Sequence, residues 1–544
     1  MKRFLIAILL AALSLGIASA QAEDDFILRY SLSPEGEVIV DDVPFHGDGE
    51  AVDNNRVFYE IFVGSFSDSN GDGVGDLRGI INRMDYLNDG DPDSGLSLGI
   101  EGIWLTPIFQ SPSYHKYDVV DFYTVDPVFG TMDDLRELAE LCHARNVKLI
   151  LDLPINHTST QNLWFKRFLN AHRMQNTMSA YYDFYTWIPE GENWPAGRRF
   201  TKGYGTDVYY ESNFSESMPE LNFDAPQVRQ ELLDVAKFYL ELGVDGFRFD
   251  AAKYIYLGDN AASSDFWTWY IGQLKAVKPD LYTVAEVWDS DGIIEKYIGS
   301  TNCFNFTASQ VSGIIADTAK AGNVNQFTNY IQRTIDRLHS INPEAMNVLF
   351  ISNHDMDRAA GYLTSSNGRM QMGANLYLLS PGSPFIYYGE EIGLRGSRGG
   401  ANTDANRRLA MLWDDGDTVR DPVGSTYEAA NQTKYGVKKL LGIEGSLYNY
   451  YKKLIMIRRA NPEIARGEYT ALSFPDTKVG GFLCALEGST VAVLHNTTTR
   501  TISVDLSAAT DIPFDTLDAW IGLGNASLEG TVLTLEGQTS AVLR

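Results

Sequence analysis

Four separate stretches of the sequence end in side chains that can carry acid–base or nucleophilic chemistry. In each stretch a run of apolar or aromatic residues is followed directly by carboxylate, imidazole or guanidinium groups. The reactive side chains at these ends are Asp152, Asn156, His157, Arg248, Asp250, Glu286, His354 and Asp355. Carboxyl groups in such a set can act as nucleophile and as general acid or base. Four such ends in one chain therefore predict a catalytic site.

Arg248 and Asp250 are spaced to share one face of a strand, because successive side chains of a strand point to opposite faces. A guanidinium beside a carboxylate holds that carboxylate ionised, as a nucleophile requires. Glu286 could then protonate a leaving oxygen. Two carboxyl groups about 5 Å apart cleave a glycosidic bond with retention of configuration, whereas a wider gap admits a water and inverts it. The spacing along the chain leaves both outcomes open.

Short strands that alternate with helices from about residue 56 onward must position these groups. The helical patterns include Met132 to Ala144 and Gln227 to Leu242. The predicted strands are Arg56 to Val63, Gly102 to Leu105, Val147 to Ile155, Val244 to Asp250, Leu281 to Glu286, Cys303 to Phe306, Asn347 to Asn353 and Pro384 to Tyr388. Repeated units of this kind predict an α/β fold, a (β/α)8 TIM barrel whose active site lies at the C-terminal ends of the strands. An open doubly wound sheet is the alternative, but no glycine-rich phosphate loop supports it.

The rest of the chain divides around this barrel. We assign residues 56–157 and 224–461 to the barrel, with 21–55 as an N-terminal segment. Residues 158–223 are rich in Trp, Tyr, Asn and Gly and show little helical period, so we expect an inserted subdomain after the third strand. Residues 462–544 alternate short β-branched runs with Gly, Asn and Asp, which predicts a C-terminal β-sandwich.

Residues 1–20 have the pattern of a signal peptide: a positive start, a short apolar run and a small-residue end at Ala18-Ser19-Ala20. We therefore expect a secreted or periplasmic protein. Its formal net charge of −27 disfavours nucleic acid and anionic membrane surfaces as partners. The three cysteines are too few for a disulfide framework, so we expect buried thiols, with one disulfide possible.

A separate motif at residues 68–76 predicts bound Ca²⁺. Oxygen donors alternate along it, and Gly73 permits the tight turn that such a loop needs. The predicted ligands are Asp68, Asn70, Asp72, the Val74 carbonyl and Asp76. The motif resembles an EF-hand loop, but its twelfth position is Gly79 rather than Glu. A solvated turn rich in Asp, Asn and Gly is the alternative.

The four strand ends resemble the signature regions of the α-amylase family, glycoside hydrolase family 13, and occur in the same order. The resemblance covers roughly residues 56 to 460. It implies that Asp250 is the nucleophile, Glu286 the general acid/base and Asp355 the carboxylate that holds sugar hydroxyls, with retention of configuration. It also implies that Arg248 positions Asp250. The residues that would contact the sugar at the cleavage point are Tyr117, His157 and His354.

Two further segments bear on the type of family member. Met218 to Asn222 resembles the marker of a group intermediate between oligo-1,6-glucosidases and neopullulanases, which includes bacterial α-amylases. Many α-amylases carry Lys-His after the nucleophile, where this chain has Lys253-Tyr254. Lys253 favours endo action and Tyr254 argues against it, although both would contact substrate. Tyr254 also puts in doubt the structural calcium that many α-amylases bind at the position of Asn156.

The resemblance implies an endo-acting hydrolase of α-1,4-glucans, with an α-glucan or maltooligosaccharide as substrate. A neopullulanase, cyclodextrin hydrolase or oligosaccharide α-glucosidase is the alternative, and glycosyl transfer to a sugar is compatible with the same chemistry. A catalytically silent carbohydrate-binding relative is disfavoured because all three carboxylates are present. The short segment before the barrel favours a monomer.

Overall fold

The computed structural model of the protein describes residues 55–92, 94–320, 322–363 and 368–544. The predicted signal peptide, residues 1–20, lies outside the described residues, as does the predicted N-terminal segment up to residue 54. Export and cleavage therefore stay predictions. No helix among the described residues is long and apolar enough to cross a membrane.

The centre of the fold is a curled sheet of parallel strands. Its strands, in the order of the chain, are Phe58–Ile61, Gly102–Leu105, Lys148–Leu153, Gly246–Phe249, Tyr282–Ala285, Asn302–Cys303 and Phe385–Tyr387. The last strand pairs with the first, in the register Phe58 to Phe385. The gap between Asn302–Cys303 and Phe385–Tyr387 is bridged by the segment 348–350, through parallel bridges from Phe304 to Val348 and from Phe350 to Phe385. The sheet is therefore the predicted eight-position barrel.

Helices surround the barrel, as the sequence pattern predicts. Met132–Ala144 begins with a capping box between Thr131 and Asp134, and it buries one face at spacings of three and four residues through Leu135, Leu138, Ala139 and Cys142. The longer helices that follow are Pro226–Glu241, Asn260–Lys275, Val324–Ile341, Arg369–Leu378 and Leu447–Ala460. The shorter ones are Leu77–Asn82, Met84–Leu87, Asp291–Ile294, Ile314–Ala319, Ala359–Tyr362, Val437–Leu441 and Pro462–Arg466.

Aromatic side chains fill the lower part of the barrel. The ring of Phe58 stacks on that of Phe385 at 4.8 Å and contacts that of Tyr282 at 4.4 Å between centroids. Gly102 makes this packing possible, because a Cβ atom there would lie 2.4 Å from the Phe58 ring. The floor of the barrel is therefore dense and apolar, and the polar side chains stand above it at the C-terminal ends of the strands.

The insert between the third and fourth barrel strands contains a small antiparallel sheet of Trp187–Pro189, Phe200–Lys202 and Val208–Glu211. It also contains the helix Leu163–Arg173, which the expectation of little helical period missed. Asn162 caps this helix, and its buried face includes Phe165 and Phe168. An aromatic-rich helix of this length is hard to distinguish from a loop by pattern alone.

The insert meets the barrel at the bridge from His157 to Glu220, and a second bridge, from Tyr185 to Leu221, lies within the insert. A two-stranded hairpin of Phe109–Gln110 and Asp121–Val125 lies after the second barrel strand.

The C-terminal region forms two antiparallel sheets. One has the order Glu468–Ser473, Val479–Leu486, Ser489–Asn496, Thr539–Leu543 and Leu517–Gly522. The other has the order Ile502–Asp505, Val532–Leu535 and Ala526–Glu529. An ion pair of 2.7 Å between Arg544 and Glu463 joins the end of the chain to the helix before the first strand. The three cysteines are buried free thiols, so the one disulfide that the sequence allows does not form.

Glu390, which follows the eighth barrel strand, is a buried carboxyl group held by hydroxyl donors. Its Oε1 atom accepts hydrogen bonds from Tyr377 at 2.6 Å and from Tyr451 at 2.8 Å. Burial raises the pKa of Glu390 to about 8, against the hydrogen bonds that lower it. Since an unfolded Glu titrates near pH 4.3, the folded protein binds the proton more tightly than the unfolded chain. The stability that this proton contributes is complete at acid pH and is lost as the pH rises through 8.

We expect the stability of Glu390→Gln, relative to that of the wild type, to increase as the pH rises from 5 to 8. Glutamine can still accept both tyrosine hydroxyls, but it has no proton to lose. The measurement is the melting temperature of both proteins at pH 5, 6.5 and 8. Glu468→Gln, at an exposed strand position, serves as the control. A difference between Glu390→Gln and wild type that does not change with pH would contradict the prediction.

Candidate active site

A cavity of about 890 Å³ opens at the C-terminal ends of the barrel strands, beside the insert. It brings together side chains from distant parts of the sequence. The predicted site residues that line it are Tyr117, His157, Asp250, Lys253, Tyr254, Glu286 and Asp355. Arg248 and His354 are buried and contact this set.

The guanidinium of Arg248 lies under the cavity and contacts three carboxyl groups. Its Nη1 atom is 3.0 Å from Asp152 Oδ1 and 2.6 Å from Asp250 Oδ1, and its Nη2 atom is 2.9 Å from Glu286 Oε2. The Arg248 side chain is 1% exposed. Because the Nη1 and Nη2 atoms of one planar guanidinium bind Asp250 and Glu286, these two carboxyl groups lie close together at the bottom of the cavity.

Burial and neighbouring charges shift the pKa values of Glu286 and Asp250. Burial raises the pKa of Glu286 to about 7, and the carboxylates of Asp250 and Asp355 add to the shift while Arg248 opposes it. Burial also raises the pKa of Asp250, against the stabilising charge of Arg248. Glu286 therefore holds a proton close to neutral pH, as a general acid must.

The turn after the fourth barrel strand fixes the position of Glu286. Ala251 adopts a left-handed conformation with φ 49°, which directs its main-chain N–H toward Glu286 Oε2 at 3.1 Å. A non-glycine residue in this conformation costs free energy. The strain lies directly beside Asp250, in a turn whose main chain also binds Glu286.

Asp355, which follows the seventh strand position, contacts His354 and Arg408. Its Oδ2 atom is 3.0 Å from His354 Nε2, and its Oδ1 atom is 2.7 Å from Arg408 Nη2. These partners hold the pKa of Asp355 well below its usual range despite its partial burial. Asp355 is therefore an ionised acceptor for hydroxyl groups.

Tyr117 and His157 line the cavity near the carboxyl groups. The Tyr117 hydroxyl donates to Asp152 at 2.9 Å, and its ring stacks on that of His354. The Nε2 atom of His157 is buried and has no hydrogen-bond partner among the described residues. Burial lowers the pKa of His157 to about 4, so this ring is neutral. An unpaired imidazole nitrogen at the cavity wall is suited to bind a ligand hydroxyl.

Lys253 and Tyr254 form part of the cavity rim on the insert side. Lys253 Nζ donates to the Trp288 carbonyl at 2.8 Å and lies 3.0 Å from Asp289 Oδ2. The ring of Tyr254 lies 4.7 Å from that of Phe214 in the insert. The rim therefore combines an anchored cation with aromatic side chains.

Several cavity residues were not predicted from the sequence: His115, Asp118, Phe214, Trp288 and Arg408. Trp288 follows Glu286 by two residues, so a search beyond the strand end would have found it. Arg408 gives no such signal, because it lies in the long segment after the eighth strand and reaches Asp355 only through the fold.

The loop of residues 68–76 lies away from the cavity and is ordered by its own side chains. Asp68, Asn70 and Asp72 each accept a hydrogen bond from the main-chain N–H two residues later, at 3.1, 2.9 and 2.7 Å. Asp76 caps the helix Leu77–Asn82 through Gly79. Within the described ranges, no group of three or more Asp, Glu, His or Cys side chains is arranged to hold a metal ion. The predicted Ca²⁺ ligands differ from such a group, because they also include the amide oxygen of Asn70 and the main-chain carbonyl oxygen of Val74.

A (β/α)8 barrel with three carboxyl groups around one cavity at the C-terminal ends of its strands is the arrangement of a barrel glycoside hydrolase. Residues 60–467 match the family described as "Alpha amylase, catalytic domain". The chain therefore belongs to the α-amylase family, as the sequence resemblance predicted.

Individual relatives differ in the activity that they are named for. "Alpha-amylase 3" of Dictyoglomus thermophilum is 36% identical over 457 residues, which is 83% of this chain and 86% of that protein. "4-alpha-glucanotransferase" of Thermotoga maritima is 33% identical over 64% of this chain and 74% of that protein. The solved structure of Eubacterium rectale Amy13B is 32% identical, with a TM-score of 0.82 over 96% of this chain and 98% of that one.

We expect Arg248→Met to lower the free energy of unfolding at pH 7 by about 3–5 kcal/mol, because it leaves buried carboxylates without their cation. The loss should be smaller at pH 5, where the carboxyl groups with raised pKa values are protonated. Urea denaturation at both pH values measures it.

Arg337→Met is the matched control, since Arg337 is 43% exposed and pairs with Asp291 on the surface. A surface pair contributes at most about 1 kcal/mol. Equal losses for the two variants would refute the compensating role of Arg248.

Proposed function

We propose that the protein hydrolyses α-1,4-glucosidic bonds in starch-like glucans and maltooligosaccharides, with endo action and retention of configuration. The observation that carries the proposal is the shared contact of Asp250 and Glu286 with the two ends of the Arg248 guanidinium. Retention needs carboxyl groups about 5 Å apart, and two groups bound to one guanidinium are compatible with that separation.

In the proposed reaction the carboxylate of Asp250 attacks the anomeric carbon of the sugar. Glu286 gives its proton to the glycosidic oxygen, the bond between that carbon and oxygen breaks, and a glycosyl ester of Asp250 forms. Glu286, now ionised, removes a proton from water as the water attacks the anomeric carbon on the face opposite Asp250, and the bond between that carbon and the Asp250 oxygen breaks. The sugar leaves with its original configuration, and both carboxyl groups return to their starting state.

Asp355, His354 and His157 are proposed to hold the sugar during this reaction. Asp355 is an ionised acceptor, and the Nε2 atom of His157 is buried without a partner among the described residues. These groups can pair with hydroxyls of the sugar at the cleavage point. Bonds to those hydroxyls that strengthen as the ring flattens would stabilise the transition state.

The shape and rim of the cavity support endo action on a chain. The cavity is open, and aromatic side chains line it, with Phe214 43% and Trp288 38% exposed. Exposed aromatic faces beside an active site can stack on further sugar units. Lys253 supports the same interpretation through its position at the rim.

Transfer of the glycosyl group to a sugar is the second candidate. The aromatic rim could bind an acceptor sugar, which would intercept the glycosyl ester of Asp250 in place of water. One relative is named as a 4-alpha-glucanotransferase. The same site could also serve a neopullulanase, cyclodextrin hydrolase or oligosaccharide α-glucosidase.

Analysis of products from soluble starch, pullulan, cyclodextrin and maltotriose tests the proposal. We expect a ladder of maltooligosaccharides from starch, whose reducing ends are first released in the α configuration. Asp250→Asn should remove turnover while the melting temperature stays close to that of the wild type. Asp265→Asn, at an exposed helix position outside the cavity, is the matched control.

Each other outcome changes a named part of the proposal. Glucose alone from starch would replace endo with exo action, and products longer than maltotriose from maltotriose would establish transfer. Substantial turnover by Asp250→Asn would refute the nucleophile, and release in the β configuration would refute retention.

We further propose that the loop of residues 68–76 binds Ca²⁺ through Asp68, Asn70, Asp72, the Val74 carbonyl and Asp76. The support is its chemistry: hard oxygen donors at alternating positions, and successive turns that fold Asp68, Asn70 and Asp72 back on their own main chain. Hydrogen bonds from the loop and Thr418 lower the pKa of Asp68, which keeps this oxygen donor ionised. The ion would have a structural role.

Removal of Ca²⁺ by a chelator should then lower the melting temperature, because an ion that binds only the folded state stabilises it. Asp72→Asn should show a smaller response to the chelator, whereas Asp265→Asn should respond as the wild type does. Calorimetric titration of the chelated protein with Ca²⁺ measures the binding directly. No heat of binding and no change in melting temperature would refute this site.

A further inference from the structure

His354 is placed between two carboxylates that contact its two ring nitrogens. Its Nδ1 atom lies 2.5 Å from Glu60 Oε1, and its Nε2 atom lies 3.0 Å from Asp355 Oδ2. Glu60 Oε1 also accepts the main-chain N–H of His354 at 3.3 Å. Both side chains are almost fully buried, at 2% exposure for Glu60 and 0% for His354.

A neutral imidazole has one N–H group, and its other nitrogen is an acceptor. With a carboxylate at each nitrogen, a neutral His354 would direct a lone pair at one of them. That contact is repulsive and leaves a buried charge without a donor, which is costly. Two donors, and therefore the imidazolium, satisfy both carboxylates.

We propose that Glu60 is a positioning residue that keeps His354 as an imidazolium, whose Nε2–H is shared between the Tyr117 hydroxyl and Asp355. Glu60 itself stands one side chain away from the cavity and touches no substrate. The inference rests on the proposed function, which it deepens by assigning the charge state of a sugar-binding group.

The barrel fixes Glu60 in this place. Glu60 belongs to the first strand, where it pairs in register with Tyr387 of the last strand and Trp104 of the second. Its own carbonyl accepts the N–H of Tyr388 at 2.9 Å. With the main chain held on both sides, the carboxylate cannot move away from the His354 ring.

Other charged or titratable groups also face His354. Tyr117 contacts Nε2 at 2.7 Å, and the His354 carbonyl accepts a hydrogen bond from Arg408 at 3.1 Å. Asp152 interacts with the ring through space, and Arg248 lies beyond it, paired with Asp152. Asp355 and Glu60 together raise the pKa of His354 to about 10, against its burial. Of these carboxylates, Glu60 alone contacts Nδ1.

The protonated ring has a direct consequence for catalysis. An imidazolium N–H is a stronger donor than that of a neutral imidazole, and it offsets the charge of Asp355. If His354 lost its proton, Asp355 would keep Arg408 but lose its second cation. We therefore expect loss of this proton to impair turnover.

The decisive measurement is the protonation of His354, which does not depend on turnover. Protein with ¹⁵N-labelled histidine rings gives separate signals for its eight histidines, and His354 is assigned by the signal missing in His354→Asn. We expect both ring nitrogens of wild-type His354 to be protonated at pH 8. In Glu60→Gln, which keeps an oxygen acceptor but not the charge, we expect only one to be protonated at that pH.

The rate as a function of pH gives a second readout. In the wild type, kcat/KM on starch should fall about tenfold per pH unit above the pKa of Glu286, as one acid loses its proton. In Glu60→Gln, His354 would lose its proton in the same range. The fall should then steepen to about a hundredfold per pH unit, with kcat/KM closest to wild type at pH 5.5.

Glu101→Gln is the matched control, because Glu101 is also buried at 8% exposure and accepts the Val57 N–H at 2.9 Å, at the opposite end of the barrel. It should change neither the His354 signal nor the slope. Neutral His354 at pH 8 in the wild type would overturn the inference even if Glu60→Gln did not fold. Doubly protonated His354 at pH 8 in folded Glu60→Gln would also overturn it. If no glucan were cleaved, the proposed function would fail while the ring signals still decided the role of Glu60.

Discussion

The buried guanidinium of Arg248 is the interaction on which the rest of the site depends. Asp152, Asp250 and Glu286 are carried to one place by the third, fourth and fifth barrel strands, and each contacts this one cation. Without it, three carboxyl groups in a buried region would repel one another and take up protons. With it, three closely spaced carboxyl groups share one compensating positive charge.

The same principle of compensated charge operates around Asp355. Asp355 is held by His354 and Arg408, and His354 in turn by Glu60. The charges thus form two networks of paired anions and cations beside the cavity. Such networks are rigid because any displacement leaves a buried charge unpaired. The dense aromatic packing below, from Phe58 to Phe385, gives them a firm base.

The relatives show how far this arrangement limits function. Proteins named as an α-amylase and as a glucanotransferase share the family with this chain. In this protein the candidate catalytic groups lie at the strand ends, whereas the rim comes from the insert and from the segments after the fourth and fifth strands. Phe214, Tyr254 and Trp288 form part of that rim in this protein. We expect these side chains to influence which sugars or acceptors the cavity accepts.

The sequence by itself determined the strands and their reactive ends, because both are local patterns. Gly102–Leu105 and Met132–Ala144 have the predicted bounds, and Asp250 and Glu286 directly follow apolar strands. The helix Leu163–Arg173 was missed because aromatic residues on a short segment fit several structures. Only the tertiary structure decided that Arg408 meets Asp355 and that Glu60 meets His354, 294 residues away. Such contacts depend on closure of the barrel and on the path of its loops, which no local pattern records.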